Sequence, residues 1–248
     1  MTDAKGAARV SRPGRRRVYK TAGVTAEPEG FAVRLDGRVL RTPRGAAMVV
    51  PSSGLARGIA GEWAAAGEVI DPLSMPLTRL ANTAIDGIAP VRDAVLDELC
   101  GFGRADLLCY RAEYPDSLAA EQARLWQPPL DWAERRFGVR LRVTAGVMAV
   151  EQPDDSLAAI RTAFARYDDF RLTAAHSLAG AFGSVVLALA VMEAELDARR
   201  AYDLSRLDET HQARTWGRDA QAERRASSIA DEVAAALSFA ELALGAAP

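Results

Sequence analysis

A strand-rich first part of this chain gives way to a helical second part, and that change of hydrophobic period limits the fold more than any other feature. Gly30-Phe31-Ala32-Val33-Arg34-Leu35 alternates apolar and polar residues, Asp36-Gly37 follows, and Arg38-Val39-Leu40-Arg41-Thr42 returns. A type I′ turn needs positive φ at both central residues, which Asp-Gly tolerates, so the stretch predicts a hairpin. Val18-Tyr19-Lys20 and Met48-Val49-Val50 read as further short extended pieces. From Ser52 or Ser53, a natural helix cap, apolar residues recur at helical spacing through Leu55, Ile59 and Trp63, with Gly67 as the stop. A sheet covered on one face by helices buries both patterns.

The densest packet of specific residues, Met75 to Tyr110, spans the changeover to a helical second part. Leu77, Leu80, Ala81, Ala84, Ile85 and Ile88 make one helix face, with Pro76 in the first turn and Gly87 at the end. Pro90 opens a second amphipathic helix through Val91, Val95, Leu96 and Leu99, closed by Gly101 and Gly103. Asp106 to Tyr110 then reads as a short strand. Arg79, Asn82 and Asp86, at i, i+3 and i+7, share one side of the first helix. They form either a polar contact surface for a partner or a buried network tying the two parts of the chain together, and the network is the expected reading.

After Tyr114-Pro115 the pattern is helical. Ser117 to Phe137 predicts two helices or one kinked at Pro128-Pro129, because proline lacks the donor that a helix interior needs. Leu141-Arg142-Val143 and Gly146 to Val150 predict a small hairpin. Ser156 caps a helix through Leu157, Ile160, Phe164 and Tyr167, and Asp168-Asp169 caps the next, beginning near Leu172. Leu172 to Met192 is the most apolar stretch. Its uninterrupted part, Leu178 to Met192, falls short of the ~20 residues that a bilayer span requires, so a buried central helix is expected. Ala179, Gly180, Gly183 and Ser184 make a small-residue seam suited to close helix approach. A final helix runs from about Asp219 to Leu244 on a stripe of Ala222, Ile229, Val233, Leu237 and Ala240. The expected organisation is α+β: a basic arm over residues 1–16, an N-terminal strand-rich domain with covering helices over 17–114, and a C-terminal helical bundle domain over 115–248.

Charge and residue usage exclude several chemistries. Seven of the first twenty residues are basic against one acid, leaving 24 basic and 32 acidic residues in the remainder. An acidic body argues against a general nucleic-acid binder, and the arm reads as solvated and flexible. Both lysines, Lys5 and Lys20, fall in the arm, so the body has no P-loop or Schiff-base lysine. Cys100 and Cys109 lack metal-ligand spacing and read as buried thiols. No serine elbow or zinc-helix motif occurs. Of the two histidines, His176 reads as a satisfied core residue. His211 lies close in sequence to Asp208 and Glu209, which leaves one catalytic alternative: a hydrolase or lyase using those groups in an interdomain cleft.

Several blocks carry a resemblance. Leu35-Asp36-Gly37-Arg38, Glu62-Trp63, Met75 through Gly87, Asp106 through Ala112, Leu204 through Glu209, and Trp216-Gly217-x-Asp219 occur in the order found in the ATP12 family, which this chain resembles from about Tyr19 to Glu223. These are assembly chaperones of the F1 part of ATP synthase. The resemblance implies a protein without catalysis or cofactor that binds the free F1 α subunit as its client until β replaces it. It implies a sheet-containing N-terminal domain joined to a helical C-terminal one. Asp208, Glu209, Trp216, Asp219 and Glu223 are then the candidate partner contacts, an aromatic ringed by acids being the usual look of an interface anchor. Gln221 stands where the family commonly carries an acid, so Asp219 or Glu223 would take its place. A monomer in the free state is expected, with no nucleic acid and no stable membrane insertion. The expected location is the bacterial cytoplasm, or the mitochondrial matrix if the source is eukaryotic.

Overall fold

The computed structural model describes residues 16–146, 148–217 and 220–244, without the side chains of Trp216, Ala220 and Ala222. The sheet is built around the hairpin. β1 (Ala22–Glu27) and β2 (Gly30–Leu35) pair antiparallel over their full length, and β2 turns through Asp36 and Gly37 into β3 (Arg38–Val39). Both turn residues have positive φ, 46° and 77°. β4 (Val49–Val50) pairs with the far end of β2. The first strand lies at Ala22–Glu27, and the extended piece expected at Val18 to Lys20 is not a strand. Instead Arg17 caps the end of α1 (Ser53–Ala65), donating to the carbonyls of Ala64 and Ala66 at 3.1 and 2.6 Å, and Tyr19 donates to that of Trp63 at 2.7 Å. A cation suits those unpaired helix-end carbonyls.

Glu62 and Trp63 fasten α1 to α2 (Pro76–Asn82). The Glu62 carboxylate accepts from the Leu77 and Thr78 N–H groups at 2.7 and 2.8 Å, supplying a negative charge to the N-terminus of α2, and Trp63 Nε1 donates to Thr78 Oγ1 at 3.1 Å. Two of the recognisable sequence blocks are therefore halves of one joint. Gly87 does not end the helix. A π-helical turn over Thr83–Ile88 and a 3₁₀ turn over Ala89–Val91 carry it into α3 (Arg92–Arg104). Gly101 and Gly103 lie inside α3, and Gly103 is there for packing, since a Cβ would meet Ile160 Cδ1 at 2.6 Å. Asp106 to Cys109 is not a strand either. Asp106 caps a 3₁₀ turn over Leu107–Cys109, and only β5 (Tyr110–Arg111) is extended.

The peptide bond between Tyr114 and Pro115 is cis. α4 (Asp116–Phe137) runs through both prolines as one helix. Only two donors are lost, and overlapping turns on either side carry the backbone past them. Among the described residues the hairpin expected around Gly146 does not form. β6 (Thr144–Ala145) pairs in parallel with β5, while the Gln152 side chain both accepts from Arg142 N–H and donates to its carbonyl, at 2.7 and 3.0 Å, doing what a partner strand would do. Ser156 is not a cap, because α5 (Asp154–Ala165) starts earlier. Its buried hydroxyl exchanges two hydrogen bonds with the Arg140 backbone.

Asp168 does cap α6 (Asp169–Phe182), accepting from Arg171 N–H at 2.7 Å. The expected central helix is two helices. Gly183 leaves α6 at φ +65°, and Ser184 caps α7 (Val185–Met192), whose residues Val185 to Val191 are all buried. The small-residue seam makes no close approach at Gly180, where a Cβ would meet nothing within 4 Å. α8 (Ala198–Ser205) packs on α7 and α10, α9 (Leu207–Trp216) lies against α4, and α10 (Ala220–Leu244) returns along α6 to α1 and α2 beside the sheet.

Two cores result. The larger gathers Trp126, Phe164, Phe182 and α7 with Val95, Leu96, Leu99 and Leu108. The smaller puts Val33, Val50, Leu55 and Ile59 under the sheet, together with Phe239, Ala240 and Ala243 from α10. Phe239 stacks on Phe170 with centroids 6.1 Å apart, and Ser52 Oγ donates to the Leu242 carbonyl. The same helix serves both cores: Val233 and Ala236 pack in the larger, and Phe239 starts the smaller. Among the described residues no helix is long and apolar enough to cross a membrane.

Candidate functional site

The C-terminal block is held against α4 by side chains of both elements. Trp126 Nε1 donates to the Leu204 carbonyl at 3.0 Å, and Arg214 approaches Glu121 at 3.8 Å. Asp208 is half-buried. Its Oδ1 accepts from Gln122 Nε2 at 2.6 Å, while Gln122, wholly buried, accepts from Ala112 N–H through its Oε1 at 2.7 Å. This relay joins the start of α9 to the strand exit after β5. Glu209 points out and pairs with Arg206 at 2.8 Å, an i, i+3 ion pair that solvent weakens. Glu223 is exposed in the first turn of α10. Trp216 ends α9, but its side chain lies outside the described residues, as does Asp219. The structure thus places Asp208 and Glu209 together on α9 and puts Glu223 on the following helix.

Arg79, Asn82 and Asp86 do not make one network. The π-helical turn uses i→i+5 bonding, so the angular register assumed between residues 79 and 86 is lost. Asp86 faces the sheet, accepting from Thr42 Oγ1 at 2.8 Å and from Arg44 N–H at 3.0 Å, while the Arg44 side chain donates to the Asp86 carbonyl. Asn82 Oδ1 is buried without a partner among the described residues. Arg79 is exposed, with no side-chain hydrogen bond or ion pair among the described residues. It lines a groove of about 600 Å³ between α2 and α10, with Leu73, Leu80, Asp231, Glu232 and Ala235.

Among the described residues the catalytic alternative finds no assembled centre. His211 is half-buried, and the two carboxylates beside it in sequence are engaged elsewhere, Asp208 by Gln122 and Glu209 by Arg206. His176 is not the satisfied core residue expected. It is half-buried and edge-on to Phe102, and its Nε2 sits 3.1 Å from Glu98 Oε2 without hydrogen-bond geometry. Both cysteines are buried free thiols, and burial pushes the Cys109 thiol far above its ordinary range, away from the reactive thiolate.

Sequence reasoning passed over one buried acid. Asp106 is fully buried, and burial pushes its carboxyl up to about 6, against hydrogen bonds from Leu108 N–H, Ser184 Oγ and Val186 N–H that favour the charged form. Its Oδ2 faces the first turn of α7, where a negative charge meets unpaired N–H groups. The clamp is structural, joining the 3₁₀ turn at Leu107 to the break between α6 and α7.

Comparison with known proteins places this architecture. The family model described as ATP12 chaperone protein matches residues 16–134. Atp12 from Paracoccus denitrificans superposes with a TM-score of 0.88 at 44% identity, covering 92% of this chain and 98% of that one, and a point mutant of the same protein matches equally well. The Atu1473 protein of Agrobacterium tumefaciens gives 0.86 at 41% identity, over 91% and 85% of the two chains. The mitochondrial protein atp12 of Schizosaccharomyces pombe is 26% identical over 226 residues, 86% of this chain and 77% of that protein. What these matches define is a chaperone. The chain belongs to the ATP12 family, the chaperones of ATP synthase assembly.

Proposed function

We propose that this protein binds the free α subunit of F1, holds it soluble, and releases it when β arrives. The observation that carries the reading is family membership at 44% identity across nearly the whole length of a solved Atp12. The physical need is clear: α alone exposes the apolar surface that β would cover, and such surface aggregates. A cap displaced by assembly itself requires no nucleotide hydrolysis. In this reading Asp208, Glu209, Trp216, Asp219 and Glu223 form the contact region. The outward placement of Glu209 and Glu223 supports them as direct contacts, and the Gln122 bond to Asp208 supports it as the anchor of α9. The protein acts as a monomer in the bacterial cytoplasm, or in the mitochondrial matrix if eukaryotic.

Co-expression with F1 α and, separately, with F1 β tests the reading. The expected result is that α alone stays soluble and co-purifies, that added β displaces it, and that alanine at Glu209, Trp216 or Glu223 weakens capture without loss of folding. Failure to capture α would overturn it.

A further inference from the structure

Among the described residues, the groove between α2 and α10 is walled by charges of opposite sign that do not meet. On the α2 wall Arg79 has no ion pair or side-chain hydrogen bond. On the α10 wall Asp231 has none, and Glu232 accepts only a long bond, 3.4 Å, from Ser177 Oγ. Between them lie apolar groups, Leu80 and Ala235, with Leu73 at the mouth, 77% exposed. Unlike charges within reach of each other pair and close a groove. Here the space keeps them apart, so a ligand group of matching sign is attracted at each wall while an apolar side chain covers the floor.

We infer that this groove is a docking site for the client, and that its occupant is a segment of F1 α carrying an apolar side chain flanked by one carboxylate and one basic group. The inference rests on the reading of α as the client and adds a second contact region to the C-terminal block. The chain's own arm is a poorer match. Its basic residues Lys5, Arg9, Arg12 and Arg15 complement Asp231 and Glu232 but would set like charge against Arg79, and its single acid is Asp3. A segment of mixed sign satisfies both walls. The groove also lies over the smaller core, against which its Leu80 packs.

The test uses the full chain with a photo-reactive amino acid at Ser228, on the groove wall, and in a second variant at Thr162, on the outer face of α5. Each is co-expressed with α and irradiated, and the adduct is identified by mass. The expected result is an adduct with α from position 228 only, lost when β displaces the chaperone. Arg79→Glu should weaken α capture by about tenfold or more with an unchanged thermal midpoint, and Arg79→Lys should retain most of it. Three results overturn the groove while leaving α binding intact: α captured with no adduct at 228, an adduct with residues 1–15 of the same chain or with a second copy, or full capture by Arg79→Glu. If the wild-type chain captures no α at all, both proposals fall together.

Discussion

Asp106→Asn separates the energetics of a buried charge from those of its hydrogen bonds. Asp106 titrates at about 6 in the folded chain, against about 4 when exposed. Between those values the native state holds a proton that the unfolded state has released. Its contribution to stability is therefore fully present below pH ~4 and is lost as pH rises through about 6. A shift of this size corresponds to about 3 kcal/mol by neutral pH. Asparagine carries no charge at any pH. It keeps an acceptor for Leu108 N–H, but the amide that replaces Oδ2 cannot accept from Val186 N–H, which costs roughly 1–3 kcal/mol independent of pH. The variant should be the weaker protein at pH 4 and match or exceed wild type at pH 7.5, the difference moving by about 3 kcal/mol in its favour. Urea unfolding of both proteins at four pH values, followed by far-UV circular dichroism and tryptophan fluorescence, measures that difference directly. Titrations common to the two proteins cancel. A difference flat to within about 0.5 kcal/mol, or one moving the other way, would show that hydrogen bonds outweigh desolvation at this carboxylate.

Two further outcomes follow from packing and backbone geometry. Phe239→Ala removes a fully buried ring stacked on Phe170 and should cost about 3–5 kcal/mol, seen as a lowered urea midpoint. Gly30→Ala should cost roughly 2–4 kcal/mol, because φ there is +142° and a Cβ would stand 2.5 Å from the Val50 carbonyl oxygen; an unchanged midpoint would mean that the β2–β4 edge relaxes freely.

The hairpin at Asp36-Gly37 was legible because its cause is local: two residues that accept positive φ between alternating strands. β1 was not, since Ala22–Glu27 offers little beyond Val24 and Thr25, and it is a strand because β2 presents a free edge. The break at Gly183-Ser184 is hidden by apolar residues on both sides, where periodicity carries no information. Gln122 and Gln152 are unremarkable in sequence, yet each amide satisfies backbone that a helix or strand would otherwise serve. Asp106 resembles any turn residue until Ser184 and Val186, nearly eighty positions on, are seen against it. The groove is the extreme case, its walls coming from Arg79 and Asp231. The C-terminal block was visible as a pattern. Only the structure distinguishes Asp208, tied inward, from Glu209, turned outward.

The reach of α10 back to the sheet sets a timetable for synthesis. Proteins commonly fold their N-terminal domain while the remainder is still being translated. Here the floor beneath the first strands includes Phe239, Ala240 and Ala243. The sheet therefore leaves the ribosome with one side of its core missing and waits for residues encoded about two hundred codons later. A nascent chain stalled before Phe239 should present Val33, Val50 and Leu55 as open apolar surface to holdases and proteases, and completion of α10 is the event that withdraws it. A chaperone built this way is itself, for most of its own translation, a chain in need of one.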